Sequence, residues 1–168
     1  DWFGIQTISP GAVAKALEDA GDEDVDILIN SGGGAVFAGS EIYTMIKEHA
    51  GNVTVKITGL AASAASFIAM AGNKVMISPT GQIMIHNAST VAWGDKGIME
   101  QGRSMLSTTD EAIANAYAIK TGKSRDELLA LMDKETWMNA QEAQQLGFVD
   151  EIMFDGGTPP VTNNLSQG

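Results

Sequence analysis

Short apolar, β-branched runs recur along this chain, each followed by a turn or by glycines and small residues, and that order limits the folds open to it. VDILIN (25–30) and VTVKIT (53–58) are too short for helices and read as strands. KVMIS (74–78) and QIMIH (82–86) are two more, parted by the turn Pro79-Thr80-Gly81. Between them, Ile42, Tyr43, Met45 and Ile46 fall at helical spacing until Gly51, and GLAASAASFIAMAG (59–72) reads as a small-residue helix. Strand, helix and strand in alternation predict parallel pairing, right-handed crossovers and an α/β domain, because each helix carries the chain back to start the next strand in the same direction.

The remaining segments fit around that frame. Ser9-Pro10 supplies an N-cap and a first-turn proline for a helix over Ala12 to Ala20 that stops at Gly21. Lys96 to Lys120 is one long helical pattern with Ile98, Met105, Leu106, Thr109, Ile113, Ala116 and Tyr117 on a stripe. Such a helix either projects beyond the domain, where a partner subunit covers the stripe, or lies along its own sheet. Ser124 to Glu127 and Asn139 to Glu142 have the capping-box spacing and start two short helices. Thr136-Trp137-Met138 reads as a brief strand and FVDEIM (148–153) as the last one. The organisation predicted is one domain over 1–154, with a Gly-, Pro-, Asn- and Ser-rich tail over 155–168 expected to be disordered. The chain opens on Asp1 and the apolar Trp2, Phe3 and Ile5, as a trimmed piece of a longer chain would.

Composition removes several function classes. A formal net charge of −11 repels phosphate backbones and anionic lipid, so neither nucleic acid nor a membrane is an expected partner. The chain has no cysteine, which excludes disulfides, thiol catalysis and thiolate metal sites and fits a reducing cytosol. No apolar run reaches membrane-spanning length and no signal sequence opens the chain, so it reads as soluble and cytoplasmic. The SGGGA loop is not followed by Gly-Lys-Ser/Thr and lacks dinucleotide spacing, and no metal-binding motif occurs, so no cofactor and no metal are expected.

Among groups that could carry chemistry, the two histidines differ sharply in setting. His49 lies in the last turn of a helix, where a cation suits the dipole and no catalysis is needed. His86 stands where an apolar strand gives way to a loop, the position at which open α/β sheets collect functional groups. Ser63 follows the strand VTVKIT and Gly59, near a helix start, between small residues that let a substrate backbone approach. Ser66 is a rival in the same run, almost a turn deeper. A serine hydroxyl is a weak nucleophile that needs a base and oxyanion donors, and glycines after a strand can present bare N–H groups for the second purpose. For an acidic partner the candidates near the late strand are Asp133, Glu135 and Asp150.

Taken in order, INSGGGAVFAGSEIY, GLAASAASFIAMAG, IMIHNA and ETWMNAQEAQQLGFVDEI resemble the proteolytic subunit of the Clp protease family over about residues 25–154, most closely its phage and prophage branch, whose members accompany capsid genes. The resemblance implies Ser63 as nucleophile, His86 as general base, and the backbone N–H groups of Gly34 and Ala64 as the oxyanion hole. Glu135 falls where the family usually has the aspartate that orients the histidine, with Asp133 as substitute. Gly32 stands where the family loop commonly has proline, and the stretch from Ser63 to His86 is shorter.

Family likeness further implies a crotonase-like spiral of βαβ units with a long handle helix protruding from it, assembled into homo-oligomeric, stacked rings around a chamber. A polypeptide would be the substrate and a separate ATP-dependent unfoldase a partner. Two other readings stand beside the peptidase: an acyl-CoA hydratase or isomerase on the crotonase scaffold, which shares the oxyanion hole but works through carboxylates, and a non-catalytic ring or scaffold component.

Overall fold

The computed structural model describes residues 8–155; Trp2, Phe3, Ile5 and the tail beyond Asp155 lie outside them. Helix α1 (Pro10–Ala20) begins as its sequence dictates: Ser9 Oγ accepts the Ala12 N–H, and Pro10 occupies a first-turn site where its missing N–H costs nothing. Strand β1 (Val25–Ser31) and β2 (Val53–Ala62) pair in parallel on either side of α2 (Val36–Glu48) in the chain. Val53, Val55 and Ile57 on β2 are completely buried. After α3 (Ala64–Ala69) come β3 (Lys74–Ile77) and β4 (Gln82–Ile85), both parallel to β2.

Beyond β4 the chain runs through α4 (Lys96–Thr121), α5 (Arg125–Asp133), β5 (Thr136–Asn139), α6 (Ala140–Gln145) and β6 (Glu151–Ile152). Both capping boxes form, Ser124 with Glu127 and Asn139 with Glu142. The sheet order is β5-β4-β2-β3-β6, with β1 also on β2. β2 is therefore the hub: its first half pairs with β1 and β3, and its far end, Leu60–Ala62, pairs with Gln82–Met84 of β4.

Three elements differ from the sequence expectation. The stretch 59–72 is not one helix: 59–62 extend β2, and only Ala64–Ala69 are α-helical. Residues as small as these impose little of their own, and the β4 ladder together with the Leu60 N–H donating to Asn30 Oδ1 (3.1 Å) decides for strand. The pairing is not wholly parallel, since β5 runs antiparallel to β4. Two successive helices separate those strands, so the chain reverses once more than in a single-helix crossover. The last strand contracts to Glu151–Ile152, although Phe148 and Val149 before it are buried.

The 26-residue α4 is about 39 Å long at 1.5 Å per residue, and its buried residues, Ile113, Ala114, Ala116 and Tyr117, all lie in its second half. There Tyr117 packs edge-on against Phe148 with ring centroids 5.6 Å apart. The first half projects and leaves Ile98, Met99 and Met105 exposed. The whole is an α/β fold of strand, helix and strand units with a protruding long helix. No helix among the described residues is long and apolar enough to cross a membrane.

Candidate active site

Ser63 is the hinge between β2 and α3, with φ 53° and ψ −127°, a conformation non-glycine residues rarely adopt and which costs on the order of 1–3 kcal/mol. Its side chain does not cap the helix that follows, so Oγ is free for another partner. Its N–H donates to the Met84 carbonyl of β4 at 2.9 Å. Because Ala62 is opposite Met84 in the ladder, the residues just past the two strand ends, Ser63 and His86, become neighbours. His86 Nε2 and Ser63 Oγ are 2.8 Å apart. Parallel pairing has thus carried an alcohol and an imidazole to the same end of adjacent strands, where open sheets place their ligands.

The glycine loop lies against this pair. Gly33 has φ +101°, and a Cβ there would stand 2.6 Å from Ser63 Cβ and 2.8 Å from the Ala62 carbonyl oxygen. Only glycine permits that backbone to pass so close. Among the described residues neither the Gly34 nor the Ala64 N–H is taken up by a hydrogen bond. Beside the cleft lies a more open cavity of about 490 Å³, lined by Val36, Phe37, Tyr43, Phe67, Met105 and Ile113 among others, and Val36, Phe67 and Ile113 border both spaces.

The carboxylates near the late strand have hydrogen-bond partners other than His86. Glu135 sits in the turn between α5 and β5 at φ 51°, and its Oε1 accepts the Trp137 Nε1–H at 3.3 Å, not a hydrogen bond from His86. Asp133 Oδ1 accepts from Asn87 Nδ2 at 2.7 Å, beside the histidine in sequence. Asp150 belongs to the sheet, bonded to the Val75 N–H (2.7 Å) and Lys120 Nζ (2.5 Å). Asp110, on α4, accepts the Ala88 N–H at 2.6 Å. Burial raises the Asp110 carboxyl above its ordinary pKa; the Ala88 N–H opposes that rise, Asp133 adds to it, and the charge of His86 works against it. His86 Nδ1 makes no hydrogen bond among the described residues.

Sequence reasoning missed Asp110. The one available signal was its place three residues before Ile113 and seven before Tyr117, a carboxylate on the face of α4 that is otherwise buried. The remaining candidates have other partners: His49 Nε2 bonds to the Glu23 carbonyl (2.8 Å), and Ser66 is wholly buried, turned toward Tyr117. Among the described residues no group of three or more His, Asp or Glu side chains converges as metal ligands do.

Comparison with known proteins agrees with the architecture. Residues 13–156 match the family model described as Clp protease. The ATP-dependent Clp protease proteolytic subunit of Bacteroides fragilis is 35% identical over 134 residues, 79% of this chain and 65% of that protein. Proteolytic subunit 1 of Chlamydia muridarum is 34% identical over 158 residues (91% and 76%), and that of Chlamydia abortus 33% over 136 (79% and 71%). The chain therefore spans just under two thirds of the Bacteroides fragilis protein. With the match running from α1 to the last strand, and so through every element that builds the Ser63–His86 cleft, this chain belongs to the Clp protease family.

Proposed function

We propose that the protein is a serine endopeptidase in which His86 takes the proton of Ser63 as Oγ attacks a peptide carbonyl. The observation that carries the reading is the 2.8 Å contact between Ser63 Oγ and His86 Nε2. The developing oxyanion is received by the N–H groups of Gly34 and Ala64, both without other partners among the described residues. Protonated His86 then donates to the leaving amine, and water repeats the sequence on the acyl-enzyme. The apolar cavity beside the cleft suits a hydrophobic side chain of the substrate.

For the acid we take Asp110, whose carboxylate is tied to the backbone two residues past His86 and feels the imidazole's charge. The alternative, Glu135, has the family's position, but its carboxylate must first leave Trp137. The exposed apolar residues on the projecting half of α4 support assembly with further copies of the chain, as stacked rings would provide. The relatives' names carry ATP dependence, and by that likeness an ATP-driven unfoldase would deliver polypeptide to the chamber.

Ser63→Ala tests the assignment. Peptide turnover should fall roughly a thousandfold or more with the fold intact, and stoichiometric labelling by a fluorophosphonate should disappear. Unchanged cleavage by that variant would sink the reading. Failure of the wild-type chain to label would favour a hydratase-type or non-catalytic protein on the same fold.

A further inference from the structure

We propose that Tyr117 and Ser66 are positioning residues that hold and polarise the peptide unit between Ser63 and Ala64, the unit whose N–H is the oxyanion donor; this rests on the peptidase reading above. Ser66 is the one fully buried polar side chain among the described residues other than the Tyr117 hydroxyl, and Tyr117 is only 1% exposed. Ser66 Oγ is 2.5 Å from the Ser63 carbonyl oxygen and 2.6 Å from Tyr117 Oη. A carbonyl can only accept, so the single hydroxyl proton of Ser66 goes to Ser63 and Tyr117 must donate to Ser66. Burial drives the Tyr117 phenol far above its ordinary pKa and keeps it protonated for that task. The result is a directed chain, Tyr117 O–H to Ser66 O–H to the Ser63 C=O, which also receives the Ser66 N–H at 2.9 Å.

The peptide plane makes this contact matter. In a trans peptide the C=O of Ser63 and the N–H of Ala64 are rigidly opposed, so fixing one fixes the other. Ser63 holds a strained φ and ψ, and rotation of the 63–64 unit is the obvious way to relieve it. Such rotation would swing the Ala64 N–H out of the cleft, at the loss of both hydrogen bonds to the Ser63 carbonyl. Hydrogen bonds to a carbonyl also strengthen the N–H of the same unit as a donor, by roughly 10–30% per bond. Stability alone does not call for the pair, because replacing both buried partners by apolar groups of similar shape is close to neutral.

The test uses the whole chain with Tyr117→Phe, Ser66→Ala and the double variant. A fluorogenic peptide gives kcat and KM, a peptide aldehyde that forms a tetrahedral adduct with Ser63 reports oxyanion binding, and a thermal melt reports stability. Each single variant should lose roughly tenfold in kcat with KM unchanged, and should weaken the aldehyde by a similar factor. The double variant should melt higher than either single variant yet stay slow. If the double variant regains both its melting temperature and its turnover, the pair is only structural and the proposal fails. Wild-type turnover in both single variants overturns it equally while leaving the peptidase reading standing; a wild-type chain that neither cleaves nor labels overturns both.

Discussion

The serine and histidine of this site and the acids around them are put in place by different means. Ser63 and His86 sit at the ends of paired strands, so the ladder that aligns Ala62 with Met84 also sets their separation. The carboxylates come from helices and turns: Asp110 is delivered by α4, Asp133 by the end of α5 and Glu135 by the turn after it. A strand register admits few alternatives, because a one-residue slip turns every side chain to the other face. A docked helix carries no comparable discrete constraint. The difference explains why the strand-borne pair meets at 2.8 Å while none of these carboxylates hydrogen-bonds to His86 among the described residues.

Perturbing the rigid side should have the largest effect. Gly33→Ala places a Cβ 2.6 Å from Ser63 Cβ at a backbone φ that L-residues avoid, so the loop and Ser63 must separate. Turnover of a fluorogenic peptide should fall roughly a hundredfold, the cost typical of misplacing reacting groups by about an ångström. Near-wild-type kcat in this variant would mean that the glycine loop yields easily and that the rigid side is not rigid.

Asp110→Asn probes the helix-borne side and should lower kcat roughly tenfold, since an amide still accepts the Ala88 N–H but no longer supports a positive imidazole. Its stability should move the other way. The folded-state pKa of Asp110 is raised, chiefly by burial, so the fold binds this proton more tightly than the unfolded chain does. The ionised carboxylate therefore costs stability, a cost that sets in as pH rises past the ordinary value of 3.8 and is complete above the folded value. At neutral pH the amide removes it, and the variant should melt no lower than wild type. A slower enzyme of equal or greater stability marks a functional charge; a loss of stability with unchanged kcat would mark a structural one.

Glu135→Gln gives the smallest effect, within about twofold in kcat, because the carboxylate is occupied with Trp137 and an amide oxygen can replace it there. Asp133→Asn should fall between the two. If the order is inverted, with Glu135 costing most, the family position has kept its role and Asp110 serves only to hold the loop.

The legible parts of the sequence follow the same division. His86 is marked by the strand end before it, but Ser63 and Ser66 lie in one small-residue run, and the likeness to the Clp protease family, not a local signal, separates them. Asp110 could not be picked out, because its partner is a backbone N–H 22 residues away, and a lone aspartate in a long helix otherwise reads as solvated surface. The extension of β2 through Gly59–Ala62 was equally hidden. Nothing in GLAAS prefers strand to helix, and the choice belongs to β4. Glu135 shows the converse, a residue that the family likeness singles out and whose carboxylate a neighbouring indole holds.

The sequence by itself determined the α/β class, the caps that start α1, α5 and α6, the length of α4 and the place of His86 at a strand end, because these follow from periodicity, capping chemistry and strand ends within a few residues. Only the tertiary structure decided the antiparallel edge strand, which acids gather beside His86, which half of α4 is buried and the line from Tyr117 through Ser66 to the Ser63 carbonyl. Those depend on how elements far apart in the chain dock, where burial and hydrogen-bond satisfaction outweigh any local preference.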